Sequence, residues 1–155
     1  MAQAKIGKPV PAISLEATGD QKIELAQLKG NNIVLYFYPK DNTSGCTTEG
    51  TDFRDNHSEF KRLKTIILGV SRDSVRSHEN FKKKYNFPFD LLSDPEEELC
   101  KAFAVIKEKN MYGKKYMGIE RSTFIIDNKG VLRQEFRKVK VKGHIEELLE
   151  AIKGL

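Results

Sequence analysis

Ile33-Val34-Leu35-Tyr36-Phe37-Tyr38 is an unbroken run of apolar and aromatic residues. A strand of this composition is typical of a sheet that is covered on both faces. Pro39 follows the run and ends the strand, because proline has no backbone N–H to donate. Residues 65–70 form a second buried run of the same kind. The two runs predict the centre of a sheet that lies between two other layers.

A helix is predicted between these two strands. From residue 46 to residue 64 the chain has no proline and places Phe53, Phe60 and Leu63 at near-helical spacing. Thr43 and Ser44, just upstream, are residue types that cap the free amides of a helix start. We therefore expect the helix to begin close to Cys46.

Further elements are predicted on both sides of this β-α-β unit. They are a hairpin of residues 10–15 and 22–25 around Thr18-Gly19-Asp20, a helix through Val75, His78, Phe81 and Tyr85 behind Ser71 or Asp73 as its cap, a strand at 89–92, a helix opened by Asp94-Pro95-Glu96-Glu97, a hairpin of Ser122–Ile126 and residues 131–136, and a helix at 144–152. This order predicts an α/β fold with a mixed central β-sheet flanked by helices. At 155 residues, we expect residues 1–155 to form a single domain.

Composition argues against several classes of protein. The longest apolar run, residues 33–38, is far shorter than the ~18–20 residues that cross a bilayer, and the N-terminal residues lack the apolar region of a secretory signal. The chain has only two cysteines and no C-x-x-C pair, unlike a secreted disulfide scaffold. We expect a cytoplasmic protein without a membrane partner. The net charge of +5 comes mainly from lysines spread along the chain, which favours solubility and indicates no particular partner.

Cys46 lies where the first buried strand leads into the predicted helix. Free amides and the positive end of the helix dipole stabilise a thiolate at such a position. The hydroxyl of Thr43, three residues earlier, can turn back toward the sulfur. Glu49 lies one turn later and either opposes the thiolate or holds a cation over it, and Arg121 is the candidate cation. A cysteine in a short α/β protein is otherwise often a small buried hydrophobe, so its position is what favours a nucleophilic role.

The pattern Pro39-x-x-x-Thr43-x-x-Cys46, with Arg121 before a Thr-Phe-Ile-Ile-Asp strand, resembles the active-site pattern of the peroxiredoxins. The resemblance covers essentially the whole chain and is greatest to the bacterioferritin comigratory protein, or peroxiredoxin Q, subfamily. It implies a thioredoxin-like fold and a thiol-dependent peroxidase that reduces hydrogen peroxide and organic hydroperoxides without a cofactor. It also implies a role for each matching residue. Cys46 would become a sulfenic acid, Thr43 would orient the peroxide, Arg121 would stabilise the thiolate and the developing oxyanion, and Pro39 would shield the sulfenic acid.

The chain departs from these relatives at the resolving cysteine. Many of them carry it five residues after the reactive cysteine, where this chain has Thr51, and others carry it in the next helix, where this chain continues into Lys82. Cys100 is the remaining candidate resolving cysteine, and a partly buried helix residue is the alternative. We expect Cys46 to be recycled by an external thiol such as thioredoxin, glutaredoxin or glutathione. The resemblance also implies a monomer.

Gly50 lies inside the same predicted helix as Cys46. Glycine in a helix costs about 1 kcal/mol relative to alanine, so it either eases local unwinding during turnover or allows a close contact.

The same residues also bear on other classes of protein function. A noncatalytic redox-responsive binding or sensing protein would also use Cys46. A thioredoxin-type reductase needs a close cysteine pair, which is absent from this sequence. Residues 137–142 alternate cations as an edge strand does, and without a base-reading module they indicate no specific nucleic acid. No metal site is predicted, because His57, His78 and His144 are far apart, and no phosphate-binding glycine loop indicates a nucleotide.

Overall fold

The computed structural model describes residues 3–155 and contains one large sheet with helices on both faces. The strands are β1 (Ser14–Ala17), β2 (Gln21–Glu24), β3 (Asn32–Phe37), β4 (Thr65–Ser71), β5 (Asp90–Ser93), β6 (Ile106–Met111), β7 (Lys114–Ile119), β8 (Ser122–Ile126) and β9 (Leu132–Arg137). The helices are α1 (Ser44–Asp55), α2 (His57–Arg62), α3 (Val75–Tyr85), α4 (Glu98–Ala102) and α5 (His144–Lys153), with a short 3-10 helix at Leu25–Gln27.

The large sheet has seven strands in the order β2-β1-β5-β4-β3-β8-β9. Its three central strands, β3, β4 and β5, run parallel, whereas β1, β2, β8 and β9 are joined in antiparallel pairs. The predicted mixed sheet flanked by helices is therefore confirmed. Because β3 and β4 are parallel and central, the loops after them open at the same edge of the sheet.

The two faces of the sheet bury separate hydrophobic cores. Side chains alternate along a strand, so β3 and the residue after it contribute to both cores. The Cys46 core contains Val34, Tyr36 and Tyr38 together with Cys46, Phe53, Phe60, Phe81, Ile145 and Leu148 from α1, α2, α3 and α5. The Cys100 core contains Ile33, Leu35 and Phe37 together with Val10, Ile13, Leu99, Cys100 and Phe103.

The single helix predicted over residues 46–64 is wrong in its extent. The structure has two helices, α1 and α2, separated at Asn56. The Asn56 amide side chain donates to the Asp52 carbonyl at 2.9 Å, and the Asn56 N–H bonds the same carbonyl at 3.2 Å. Asparagine offers the backbone this alternative to a continued helix, which explains the break.

The helix predicted to open at Asp94 and Pro95 begins instead at Glu98. Glu97 has a left-handed backbone, with φ of 59°, so the helix cannot extend through it toward Pro95. Asp94 has tertiary contacts in place of a local cap. Its N–H donates to the Ser71 carbonyl at 2.9 Å, and its carboxylate accepts from the Cys100 N–H at 2.8 Å.

The hairpin of β6 and β7 was not predicted from the sequence. Most of its side chains are exposed, so it lacks the apolar alternation of a half-buried strand. Its turn is Tyr112-Gly113, with both φ values positive, at 54° and 81°. Such turns favour glycine, and Gly113 was the signal available in the sequence.

The other predicted elements are present with shifted ends. The first hairpin pairs β1 with β2, the strand at 89–92 lies at Asp90–Ser93, and the second hairpin pairs β8 with β9. Ser74 caps α3 by accepting from the Ser77 N–H at 3.1 Å, so neither Ser71 nor Asp73 is the cap. The cation-rich run 137–142 is not one strand, because β9 ends at Arg137 and Lys138 has φ of 51°.

Candidate active site

Cys46 is the third residue of α1, next to the end of β3 in the sheet. Its side chain is buried, with 2% of the residue exposed. The amides of the first helical turn have no partner within the helix, and Thr43, in extended conformation, stands at the N-cap. The Arg121 Nη2 donates to the Cys46 Sγ at 3.3 Å. The sulfur therefore lies between the positive end of a helix and a guanidinium.

Arg121 connects Cys46 with Glu49. Its Nη1 donates to the Glu49 Oε1 at 2.6 Å, so the predicted pairing of Glu49 with Arg121 is confirmed. The Arg121 carbonyl accepts from the Val139 N–H at 3.0 Å, which holds the backbone just before β8. A Cβ on Gly45 would lie 3.1 Å from Nη2, so a residue without a side chain leaves room for the guanidinium.

The site contains a buried acidic side chain, since only 2% of Glu49 is exposed. Burial raises the pKa of Glu49 to about 7, although Arg121 opposes the shift. Burial also acts to lower the pKa of Arg121, but the charges of Glu49 and Cys46 outweigh it and raise that pKa. The second carboxylate oxygen of Glu49 is buried without a hydrogen-bond partner among the described residues.

Thr43 and Pro39 lie beside Cys46 in the loop after β3. The Thr43 hydroxyl donates to the Lys40 carbonyl at 2.9 Å, and among the described residues it makes no hydrogen bond to the Cys46 sulfur. Its exposed oxygen keeps lone pairs that can accept a hydrogen bond. Pro39 is half-buried two residues after the end of β3.

Cys100 lies on the opposite side of the sheet. Cys46 belongs to one core and Cys100 to the other, and both are free thiols. A disulfide requires Cα atoms within ~7 Å, and here the sheet separates the two residues. Burial and then the carboxylate of Asp94 raise the pKa of the Cys100 thiol. The fold therefore brings Cys46, Glu49 and Arg121 together and keeps Cys100 apart from them.

Two features near the site were missed at the sequence level. Lys109 on β6 lies within electrostatic range of Arg121 and Cys46, and its pKa is lowered mainly by burial. It was missed because its hairpin was missed. Asp41, Asp73 and His78 offer ligand atoms within 4.8 Å of one another. These residues are distant in the sequence, and only the packing of α3 against the loop after β3 brings them together.

Residues 6–135 match the AhpC/TSA family. The chain belongs to this family. The peroxiredoxin Bcp of Bacillus subtilis is 52% identical over 151 residues, covering 97% of this chain and 96% of the relative. The peroxiredoxin Bcp of Xanthomonas campestris is 53% identical over 142 residues, covering 92% and 89%.

Solved structures agree with this membership. A structure of peroxiredoxin Q from Xanthomonas campestris has a TM-score of 0.90 at 50% identity, covering 96% of this chain and 97% of its own. The bacterioferritin comigratory protein of the same organism, solved as trapped intermediate and ligand complexes that address its alkyl peroxide reduction activity, has a TM-score of 0.90 at 49% identity, covering 97% and 98%. The fold is the thioredoxin-like fold of the peroxiredoxins, as predicted.

A peroxiredoxin is a thiol-dependent peroxidase, so this chain takes a peroxide as substrate and a thiol as reductant. The alternative of a noncatalytic sensing protein is not favoured. Between residues 3 and 155, no helix has the length and hydropathy needed to span a bilayer.

Proposed function

We propose that Cys46 is the thiolate with which this peroxiredoxin reduces hydrogen peroxide and organic hydroperoxides. The observation that carries the proposal is the 3.3 Å contact between the Arg121 guanidinium and the Cys46 sulfur at the start of α1. In the reaction, the sulfur forms a bond to one peroxide oxygen as the O–O bond breaks. The other oxygen leaves with the bonding electron pair, takes up a proton and departs as water or an alcohol. Sulfur is oxidised to a sulfenic acid and the peroxide is reduced.

Arg121 supports this step because its two terminal nitrogens serve different partners. Nη1 is held by Glu49, and Nη2 faces the sulfur and can also donate to the oxygen on which charge develops. We propose that Glu49 is a supporting residue that fixes the guanidinium in this orientation. The planar guanidinium can donate to Glu49 and to Cys46 from two separate nitrogens, which the single ammonium of a lysine could not do.

Thr43 and Pro39 complete the proposed site. Because the Thr43 hydroxyl uses its proton on the Lys40 carbonyl, its oxygen has lone pairs free to accept the O–H of a hydroperoxide bound beside Cys46. Pro39, half-buried after β3, shields the sulfenic acid from water. These roles complement each other, since one group accepts from the peroxide and Arg121 donates to it.

We propose a one-cysteine cycle in which an external thiol returns Cys46 to its reduced form. The support is the location of Cys100 in the other core, which leaves Cys46 without an internal partner. Thioredoxin, glutaredoxin and glutathione are the candidate reductants. We further propose that residues 1–155 form one domain that acts as a monomer in the cytoplasm, without a specific nucleic acid.

The test is stopped-flow oxidation of the reduced protein by hydrogen peroxide and by cumene hydroperoxide, followed by intact mass. We expect rapid oxidation in the wild type and in Cys100→Ser, the matched control, and none in Cys46→Ser. The mass should show one added oxygen rather than the loss of two hydrogens. Oxidation no faster than that of an ordinary free thiol would contradict the assignment of Cys46, whereas a disulfide that requires Cys100 would contradict only the one-cysteine cycle.

A further inference from the structure

A buried polar cluster lies beneath the active-site loop and has no part in the thiol chemistry above. Its centre is the contact between Asp41, in that loop, and His78, on α3. The exposed fraction is 0% for the His78 side chain and 2% for the Asp41 side chain. Tyr38 and Ser77 contact the same carboxylate.

The hydrogen bonds of His78 indicate how many protons this cluster holds. Its Nε2 lies 2.9 Å from the Leu92 carbonyl oxygen, which only accepts, so Nε2 carries a proton. Its Nδ1 lies 2.8 Å from the Asp41 Oδ2, and a hydrogen bond there requires a second proton between the two atoms. The pair therefore holds one proton more than a neutral histidine beside an ionised carboxylate.

The surroundings of Asp41 place that second proton on the histidine. Tyr38 donates to the Asp41 Oδ1 at 2.6 Å, and the Ser77 hydroxyl donates to Oδ2 at 2.7 Å. Burial raises the pKa of Tyr38 well above its ordinary value, so its hydroxyl remains a donor. A carboxylate that accepts from several donors is stabilised in its ionised form. The nearby Asp73 carboxylate, which faces the cluster from the turn before α3, also favours a cation there.

Asp41 also determines the path of the loop. Its N–H donates to the Asp73 Oδ2 at 2.9 Å, and the next residue, Asn42, has φ of 63°. Thr43 and the start of α1 follow directly. The loop that leads to Cys46 is thus attached to α3 through both the backbone and the side chain of Asp41.

We propose that His78 is a positioning residue whose ring donates from both nitrogens, and which thereby holds Asp41 and through it the loop that carries Thr43 and the start of α1. It does not touch the sulfur or the peroxide. The protonated state follows from the contacts alone, whereas its effect on turnover rests on the proposed roles of Cys46 and Thr43. The cluster is not assigned to a metal, since His78 Nδ1, Asp41 Oδ2 and Asp73 Oδ2 all have hydrogen bonds within the protein.

The direct test is ¹⁵N NMR of the histidine rings in the reduced wild-type protein. We expect both ring nitrogens of His78 to carry protons at neutral pH, because each of them faces an oxygen that accepts a hydrogen bond. His144 is the internal comparison. Its Nε2 faces the Thr123 hydroxyl, which can donate, and burial lowers its pKa despite the opposing contact with Glu147, so its Nε2 should carry no proton at neutral pH. An unprotonated Nδ1 on His78 at neutral pH would overturn the proposal.

The second test compares peroxide oxidation rates of His78→Gln, Asp41→Asn/His78→Gln and the control His57→Gln. We expect His78→Gln to lower the rate constant about tenfold, by the loss of one charge-assisted hydrogen bond to the loop. It should also add a new pH dependence of the rate, because the buried Asp41 carboxylate then lacks its cationic partner. The double variant should lack that dependence, and His57→Gln should behave as the wild type.

An unchanged rate and pH profile in His78→Gln would contradict the positioning role. If a variant fails to fold, the NMR measurement on the wild type still decides the protonation state. If the wild-type protein itself reacts only as fast as a free thiol, the proposed function fails, and the NMR result for His78 stands independently of it.

Discussion

Glu49 is a buried carboxylate that lies between the Arg121 guanidinium and an apolar core. One of its oxygens pairs with Arg121 at 2.6 Å, and the other has no partner among the residues that the structure describes. Burying a charged carboxylate with one unpaired oxygen costs free energy, and the contact with Arg121 offsets part of that cost. Glu49 therefore lowers the stability of the fold but fixes the Arg121 guanidinium as a hydrogen-bond donor beside the Cys46 sulfur.

Replacement of Glu49 by glutamine should change how stability depends on pH. Burial raises the pKa of Glu49 from 4.5 to about 7, so the native state holds a proton that the unfolded chain releases earlier. The free energy of unfolding should therefore fall as the pH rises from about 4.5 to about 7, by about 3 kcal/mol, and remain lower above that range. Urea unfolding across this range should show the fall in the wild type and a flatter profile in Glu49→Gln.

The control for this experiment is the exposed Glu96→Gln variant, which should keep the wild-type profile. Parallel profiles for Glu49→Gln and the wild type would show that the carboxylate is ionised throughout the range.

At the scale of the elements, α1 is held against the rest of the Cys46 core at Gly50. A Cβ on Gly50 would lie 2.4 Å from the Phe87 ring, far inside van der Waals contact. Phe87 itself packs on Phe81 and Phe89 at centroid distances of 5.0 and 5.1 Å, so it has little room to move. Close packing therefore explains this glycine, whereas the sequence left local unwinding as an alternative.

Substitution of Gly50 by alanine should destabilise the protein. The overpacking against Phe87 costs about 1–3 kcal/mol, which is at least as large as the gain of about 1 kcal/mol in helix propensity. Chemical denaturation would measure the difference, with Gly154→Ala as the control because its added Cβ has room. The double variant Gly50→Ala/Phe87→Leu should recover part of the loss. An increase in stability in the single variant would instead favour the role of Gly50 in unwinding.

At the scale of the whole molecule, the sheet divides the chain into two chemically different halves. The Cys46 core supports the loop, Arg121 and the polar cluster around His78, while the Cys100 core is closed by α4 and the N-terminal segment. Oxidation of Cys46 therefore has no direct route to Cys100 while the sheet is intact.

Thiol labelling should distinguish the two cysteines in the native protein. Cys100 is 0% exposed and burial raises its pKa, so it should react with a thiol reagent such as iodoacetamide only after unfolding. Cys46 is also buried, at 2% exposed, so its faster labelling rests on the proposed thiolate beside Arg121. Mass spectrometry should then find one fast-labelled thiol in the native wild type, none in native Cys46→Ser, and two thiols in the denatured wild type. Comparable labelling of Cys100 without denaturant would show that α4 opens readily, and would restore it as a candidate resolving cysteine.

Local pattern was sufficient for the central strands and for the helix beginning near Cys46, whereas the pairing of Glu49 with Arg121, 72 positions apart, was only a candidate until the structure confirmed it. Local pattern failed where tertiary contacts compete with local preference. Asn56 breaks a helix that the apolar spacing continues, Asp94 is drawn into contacts with Ser71 and Cys100, and the exposed β6–β7 hairpin has no buried face to predict.

The sequence by itself determined the fold class and drew attention to Cys46, because a doubly buried strand followed by a helix start is a local pattern with few structural solutions. Only the tertiary structure decided that Cys100 faces the other core, that the Thr43 hydroxyl turns to Lys40, and that His78 meets Asp41. The His78 and Asp41 contact joins residues 37 positions apart. Contacts of this kind depend on how helices pack against a sheet. The spacing of residues along the chain does not predict that packing, because the residues that meet are far apart in the sequence.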